Sequence, residues 1–127
     1  MNLVEVKTAD LVGAALDWAV AIAVGCQEIS ATSAGVTCIY GMPDGDTCWT
    51  NLYQPSTDWS HGGPLIEKYR VDLILERDGL VGAYLNDEEG YPQTDDSYGP
   101  TQLIAACRAI VAHKIGDTVS VPKELLS

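Results

Sequence analysis

Leu11-Val12-Gly13-Ala14-Ala15-Leu16-Asp17-Trp18-Ala19-Val20-Ala21-Ile22-Ala23-Val24-Gly25 is the stretch on which the fold turns. It is apolar nearly all round at helical spacing, and Gly25 supplies the stop, so it reads as the central helix of a core. Thr8 is placed to cap it, and Asp10 to sit in its first turn against the positive end of the dipole. The run is too short to cross a bilayer and carries Asp17. Asp17, beside Trp18, belongs at the rim of the core or pairs with a buried donor, because an unpaired buried carboxylate costs too much.

Outward from that helix the patterns shorten. Residues Asn2–Val6 alternate as an opening strand should. Gly35–Tyr40 reads as a strand, Met42-Pro43-Asp44-Gly45-Asp46 as a turn, and Cys48–Tyr53 as the returning strand. Gln54 to Pro64 is a long polar loop, and Pro64 suits the first position of a short helix, Leu65–Tyr69. Val71–Glu76 and Leu80–Leu85 flank Arg77-Asp78-Gly79, a strong hairpin signal. Asn86–Tyr98 is acidic and turn-rich, with no regular element expected. Gly99-Pro100-Thr101 opens a second long helix with an apolar stripe at Leu103, Ile104, Cys107, Ile110, Val111 and Ile115, stopped by Gly116. Thr118–Val121 adds a last strand. The fold expected is α+β: a small mixed or antiparallel sheet, main helices near 11–24 and 100–115, and a short helix near 64–69. No repeat or linker interrupts residues 1–127, which read as one domain.

Composition narrows the function classes. Eighteen acidic residues against seven basic ones give a formal charge of −11. Such a surface repels a nucleic-acid backbone, so no nucleic-acid partner is expected. It keeps the chain soluble, and it leaves open a basic protein partner, imitation of a polyanion, or self-association. There is no Phe among 127 residues; ring surface comes from Trp and Tyr, which also carry a polar handle. Cys26, Cys38, Cys48 and Cys107 lack the close spacing of a zinc knuckle or redox dithiol, and three of them sit among apolar neighbours. No secretory signal opens the chain and no run is long enough for a membrane span, so a reducing cytoplasm is expected.

Two loops carry the candidate site. Each runs through Gly-Pro into a helix, where free N–H groups and the dipole favour an anion. His61-Gly62-Gly63-Pro64 lets a ligand approach the backbone, and Thr57, Asp58, Ser60 and Thr101 can hydrogen-bond it. Trp59, Tyr91 and Tyr98 offer flat faces, Gly99 precedes the second helix, and Arg108 is a possible phosphate partner. Asp17 and Trp18 could line the same pocket from below. The plainer reading is that Gly and Pro cap helices, Asp58 forms an Asx-turn, and Trp59 plugs the core. Ser56, Asp58, Ser60 and His61 include triad residue types, but they crowd one loop rather than converging from separate elements. Asp44-Gly45-Asp46 lacks the further ligands of a calcium loop. Asp87, Glu88, Glu89, Asp95 and Asp96 read as a solvated acidic loop. No catalytic set, cofactor motif or metal site follows from the residues.

Three stretches taken in order are familiar: Leu11 to Val20, Ser56-Thr57-Asp58-Trp59-Ser60-His61-Gly62-Gly63-Pro64, and Gly99-Pro100-Thr101-Gln102-Leu103-Ile104-Ala105-Ala106. The chain resembles the NinX-like family of small proteins that lambdoid phages and prophages carry among their accessory early genes. The resemblance runs from the first strand to Gly116-Asp117. It implies a phage accessory protein made in the bacterial cytoplasm and supplies no activity or site residue. From the loops, the expectation is a non-enzymatic binder of a small nucleotide-like or phosphorylated ligand, in which a host defence signal is sequestered. The alternative is an acidic inhibitor or DNA mimic acting on a host or phage enzyme.

Overall fold

A computed structural model describes residues 2–126. The elements run β1 (Leu3–Lys7), α1 (Gly13–Val24), β2 (Gln27–Thr32), β3 (Gly35–Gly41), β4 (Thr47–Thr50), α2 (Trp59–Lys68), β5 (Val71–Arg77), β6 (Leu80–Leu85), β7 (Ser97–Gly99), α3 (Gln102–Lys114) and β8 (Thr118–Pro122). The fold is α+β as expected. Its strands form three small antiparallel sheets rather than one: β1-β8, β2-β3-β4 and β5-β6-β7.

The α1 helix is the centre of the larger core. Leu16, Ala19, Val20 and Ala21 are wholly buried with Leu11, Val36, Cys38, Tyr53, Val111 and Val121 around them. Each fully buried Leu or Val side chain there contributes about 1.5–3 kcal/mol. The α3 helix divides its faces. Cys107 and Val111 meet the α1 core, and Ala105, Ala106, Ala109 and Ile110 meet Val71, Val81, Ala83 and Leu85 of the β5-β6-β7 sheet. Small alanines on that second face let helix and sheet come close.

Local departures from the sequence reading have tertiary causes. Thr8 does not cap α1; it begins a 3-10 turn, Thr8–Asp10, and Val12 precedes α1 without a side-chain cap. The Thr8 hydroxyl donates to the Gly116 carbonyl at 2.6 Å and its N–H to Asp117 at 2.8 Å. The end of α3 has claimed the residue. Asp10 therefore stands outside the first turn of α1. Pro64 does not open α2, which begins at Trp59 with Asp58 as its N-cap. Asp58 is the stronger start signal because its side chain accepts the Ser60 N–H at 2.9 Å. Pro64 is then tolerated inside a short helix, with no N–H for the Ser60 carbonyl.

Three strand assignments also shift. The strand expected to reach Tyr53 ends at Thr50, whose hydroxyl accepts the Leu52 N–H and turns the chain. Gln27–Thr32 is a strand that polar composition hides, bulged so that Glu28 takes φ 51°. Ser97–Gly99, within and beyond the segment read as irregular, pairs with Val81–Ala83 on β6. The stops at Gly25 and Gly116 stand as expected, with φ 81° and 129°.

Candidate functional site

The loop before α2 is held by its own polar groups. The Gln54 N–H donates to His61 Nδ1 at 3.0 Å, and the Ser56 N–H donates to Asp17 Oδ1 at 2.9 Å. The Ser60 hydroxyl donates to Asp58 Oδ1 at 2.7 Å, and the Gly62 N–H reaches the Asp58 carbonyl at 2.9 Å. Gly62 and Gly63 lie inside the helix, so the expected open approach to the backbone at His61-Gly62-Gly63-Pro64 is absent. The first turn is served by Asp58, itself an anion, which disfavours a second anion there. Thr57 is exposed, and Trp59 stands 53% exposed on the surface instead of plugging the core.

Protonation follows these contacts. Burial pushes the Asp17 carboxyl up to about 6, against the opposing hydrogen bond from the Ser56 N–H. Burial also holds His61 below the usual histidine range, with Asp58 at 3.9 Å pulling the other way. The hydrogen bonds from Ser60 hold Asp58 below the usual carboxylate range. His61 receives an N–H on Nδ1, so that nitrogen is occupied in a structural role and is not free to act as a base. Asp17, Trp18 and Ser56 are buried together with α1, and Trp18 Nε1 and Ser56 Oγ have no hydrogen-bond partner among the described residues.

The loop before α3 behaves differently. Thr101 caps α3, its hydroxyl accepting the Ile104 N–H at 3.1 Å. Thr101→Ala should lower stability by about 1 kcal/mol in urea unfolding without altering the cleft beside it. That cleft, about 610 Å³, is lined by Tyr98, Gly99, Pro100 and Arg108, with Lys7, Leu80, Asp96 and Asp117 also on its walls. Arg108 donates from Nε to the Leu11 carbonyl at 3.0 Å and from Nη1 to the Tyr98 carbonyl at 2.8 Å. Part of the guanidinium is thus a clamp between the α1 approach and β7. Gly99 is required where it stands, because a Cβ there would lie 2.8 Å from the Ala105 nitrogen.

The structure therefore separates the sequence candidates. Tyr98, Gly99 and Arg108 border one cavity. Thr57, Asp58, Trp59, His61, Gly62 and Gly63, along with Asp17, Trp18 and Thr101, are not among the residues that line it. The two Gly-Pro loops do not enclose a common cleft there. A second cavity of about 610 Å³ lies between α2 and the β2-β3-β4 sheet, walled by Tyr40, Tyr53, Met42, Leu65 and Lys68. Tyr40, Tyr53 and His61 form an aromatic trio with ring centroids 5.1–5.3 Å apart. Sequence reading missed this cavity: its walls come from four separated segments, and no spacing along the chain links them.

Among the described residues no group of three or more His, Cys, Asp or Glu side chains is placed to hold a metal ion. No helix among them is long and apolar enough to cross a membrane. Fold and clefts together define an acidic α+β protein with three antiparallel sheets set around two buried helices. Residues 7–114 match the family model described as Bacteriophage P22, NinX, which is more than half of the chain. The chain belongs to that family and is a phage accessory protein. No match was found among curated proteins.

Proposed function

We propose that this chain is a non-enzymatic binder that works in the host cytoplasm, holding a small nucleotide-like or phosphorylated ligand in the cleft at Tyr98 and Arg108. One observation carries the reading. Tyr98, the Gly99-Pro100 backbone, Arg108 and Lys7 converge on one cavity of about 610 Å³, a size suited to a small molecule. Tyr98 offers a ring face for a base. Arg108 and Lys7 supply positive charge for an anionic group, and Asp96 and Asp117 can accept from sugar hydroxyls. In this reading the phage gains by withdrawing a host nucleotide signal, a task that needs affinity and no turnover.

Scanning fluorimetry against a panel of mono-, di- and cyclic nucleotides tests it. The best binder should raise the melting temperature, and Tyr98→Ala should weaken it by about tenfold or more, the scale of one base–aromatic stack. Trp59→Ala, outside the cleft, should leave affinity unchanged. A panel with no shift, or loss of binding in Trp59→Ala alone, would reject the assignment.

A second reading, an acidic inhibitor or DNA mimic, draws on the order of the acidic loop. Asp87 Oδ1 accepts from the Glu89 and Tyr91 N–H groups, and Thr94 Oγ1 accepts from Leu85. These bonds hold Glu88, Glu89, Asp95 and Asp96 exposed in fixed positions. A salt-sensitive protein partner, lost when those carboxylates are neutralised and kept in Tyr98→Ala, would favour it.

A further inference from the structure

We propose that the open edge of β5 is an interface with a second copy of this chain, whose own β5 pairs antiparallel with it in a register centred on Leu73. Among the described residues β5, at seven residues, is the longest strand at a sheet edge. It is hydrogen-bonded to β6 on one side, with α2 and α3 packed on it. An apolar edge of this kind is a template for another strand.

The β5-β6 ladder fixes which backbone groups point to that open side. Leu85, opposite Val71, donates its N–H to Thr94 Oγ1 at 3.0 Å, and its carbonyl accepts the Gln93 N–H at 2.8 Å. Its backbone groups are thus turned away from β5. Val71 and Leu85 are then a pair without mutual hydrogen bonds, and Val71 turns its N–H and carbonyl outward. Alternation does the same for Leu73 and, up to the bulge at Glu76, for Leu75. No partner for these groups is found among the described residues. Side chains at the same three positions extend the smaller core: Val71 is buried, Leu73 packs partly buried against it, and Leu75 is 69% exposed.

Charge selects the partner and the register. Arg70 and Arg77 balance Asp72 and Glu76 along this edge, in a chain that carries −11 overall. Two acidic copies can meet there without adding like charge at the contact. With Leu73 on the two-fold axis, Val71 faces Leu75 of the second copy and Arg70 faces its Glu76. A register centred on Ile74 would set Asp72 against Glu76, and one centred on Leu75 would set Asp72 against Asp78, both like-charged pairs. In the Leu73 register the outward groups meet each other, and each such pair exchanges two hydrogen bonds. The two sheets become one six-stranded sheet, and the apolar row from Val71 to Leu75 is covered. β7, which borders the Arg108 cleft, is the opposite edge of the sheet, so the interface is independent of the ligand reading given to that cleft.

Sedimentation velocity of the full chain from about 1 to about 200 μM at physiological salt should show a monomer–dimer equilibrium. Leu75→Lys, at an exposed position, should weaken the dimer about tenfold or more and leave urea unfolding of the monomer unchanged. Arg70→Glu should also weaken it, twice over because symmetry repeats the pair. Adding Glu76→Arg should restore association, since the swap rebuilds the pair with its sign reversed. A chain that stays monomeric over that range, a dimer indifferent to Leu75→Lys or Arg70→Glu, or a charge swap that fails to restore association would overturn the proposal.

Discussion

Gly62→Ala should destabilise the protein by about 3 kcal/mol, whereas Gly63→Ala beside it should change stability by about 1 kcal/mol or less. The two glycines share a helix and differ in what lies over them. A Cβ on Gly62 would sit 2.4 Å from the Pro55 carbonyl oxygen and 2.7 Å from Leu103 Cδ2. The leucine can turn aside. The carbonyl cannot easily follow, since the next residue, Ser56, is tied through its N–H to buried Asp17. Relief requires α2 to draw away from the loop and from α3. At Gly63 the nearest atom beyond its chain neighbours is Trp59 Cε3 at 3.7 Å, an ordinary contact, so what an alanine meets there is only the restriction that Pro64 places on the residue before it, set against its helical preference. Urea unfolding of both variants checks this. Equal effects of the two substitutions would refute the packing account.

Asp17→Asn should gain on the wild type as pH rises, by up to about 3 kcal/mol between pH 4 and pH 7.5. The folded carboxyl is pushed from 3.8 up to about 6 by burial. Its folded value is raised, so its contribution to stability is fully present below the unfolded value and is lost as pH climbs through about 6. Asparagine keeps an acceptor for the Ser56 N–H and never ionises. His61 titrates in an overlapping window with the opposite sign: its folded value is lowered, so its contribution is present above 6.5 and lost on acidification. That term is common to both proteins and cancels in their difference. The informative quantity is therefore the difference in unfolding free energy across pH. A difference that stays flat would mean Asp17 is far better solvated than its burial implies.

Helices whose pattern is carried by their own residues were legible in the sequence. α1 and α3, with stops at Gly25 and Gly116, fall close to where apolar runs and glycines place them, and the hairpin at Asp78-Gly79 is a local turn signal. What the sequence hid was decided by distant partners. Thr8 looks like the cap of the following helix, but its hydroxyl belongs to Gly116, 108 residues away. Gly62-Gly63-Pro64 looks like a helix entrance, yet Asp58 wins the start because its side chain reaches a backbone donor two residues on. Of the candidate residues, Tyr98, Gly99 and Arg108 were brought to one cavity, while the Asp58–Gly63 group and Asp17 serve the loop that precedes α2. Chain proximity could not reveal that separation. The same holds for Tyr40, Tyr53 and Lys68, whose shared cavity exists only after the β2-β3-β4 sheet meets α2.

The pairing of β1 with β8 bears on how the chain matures on the ribosome. Leu3–Lys7 faces Thr118–Pro122 in full register, so β1 waits for β8, which is made after every other described strand. Val119 and Val121 are also part of the wall around α1. Until they emerge, a helix with almost no polar side has an incomplete cover, and the nascent chain exposes its stickiest surface throughout translation. Closure of such a sequence-distant ladder is an intrinsically slow event. A truncation or stalled product ending before residue 118 would retain most of its helices and still be a substrate for chaperones and proteases.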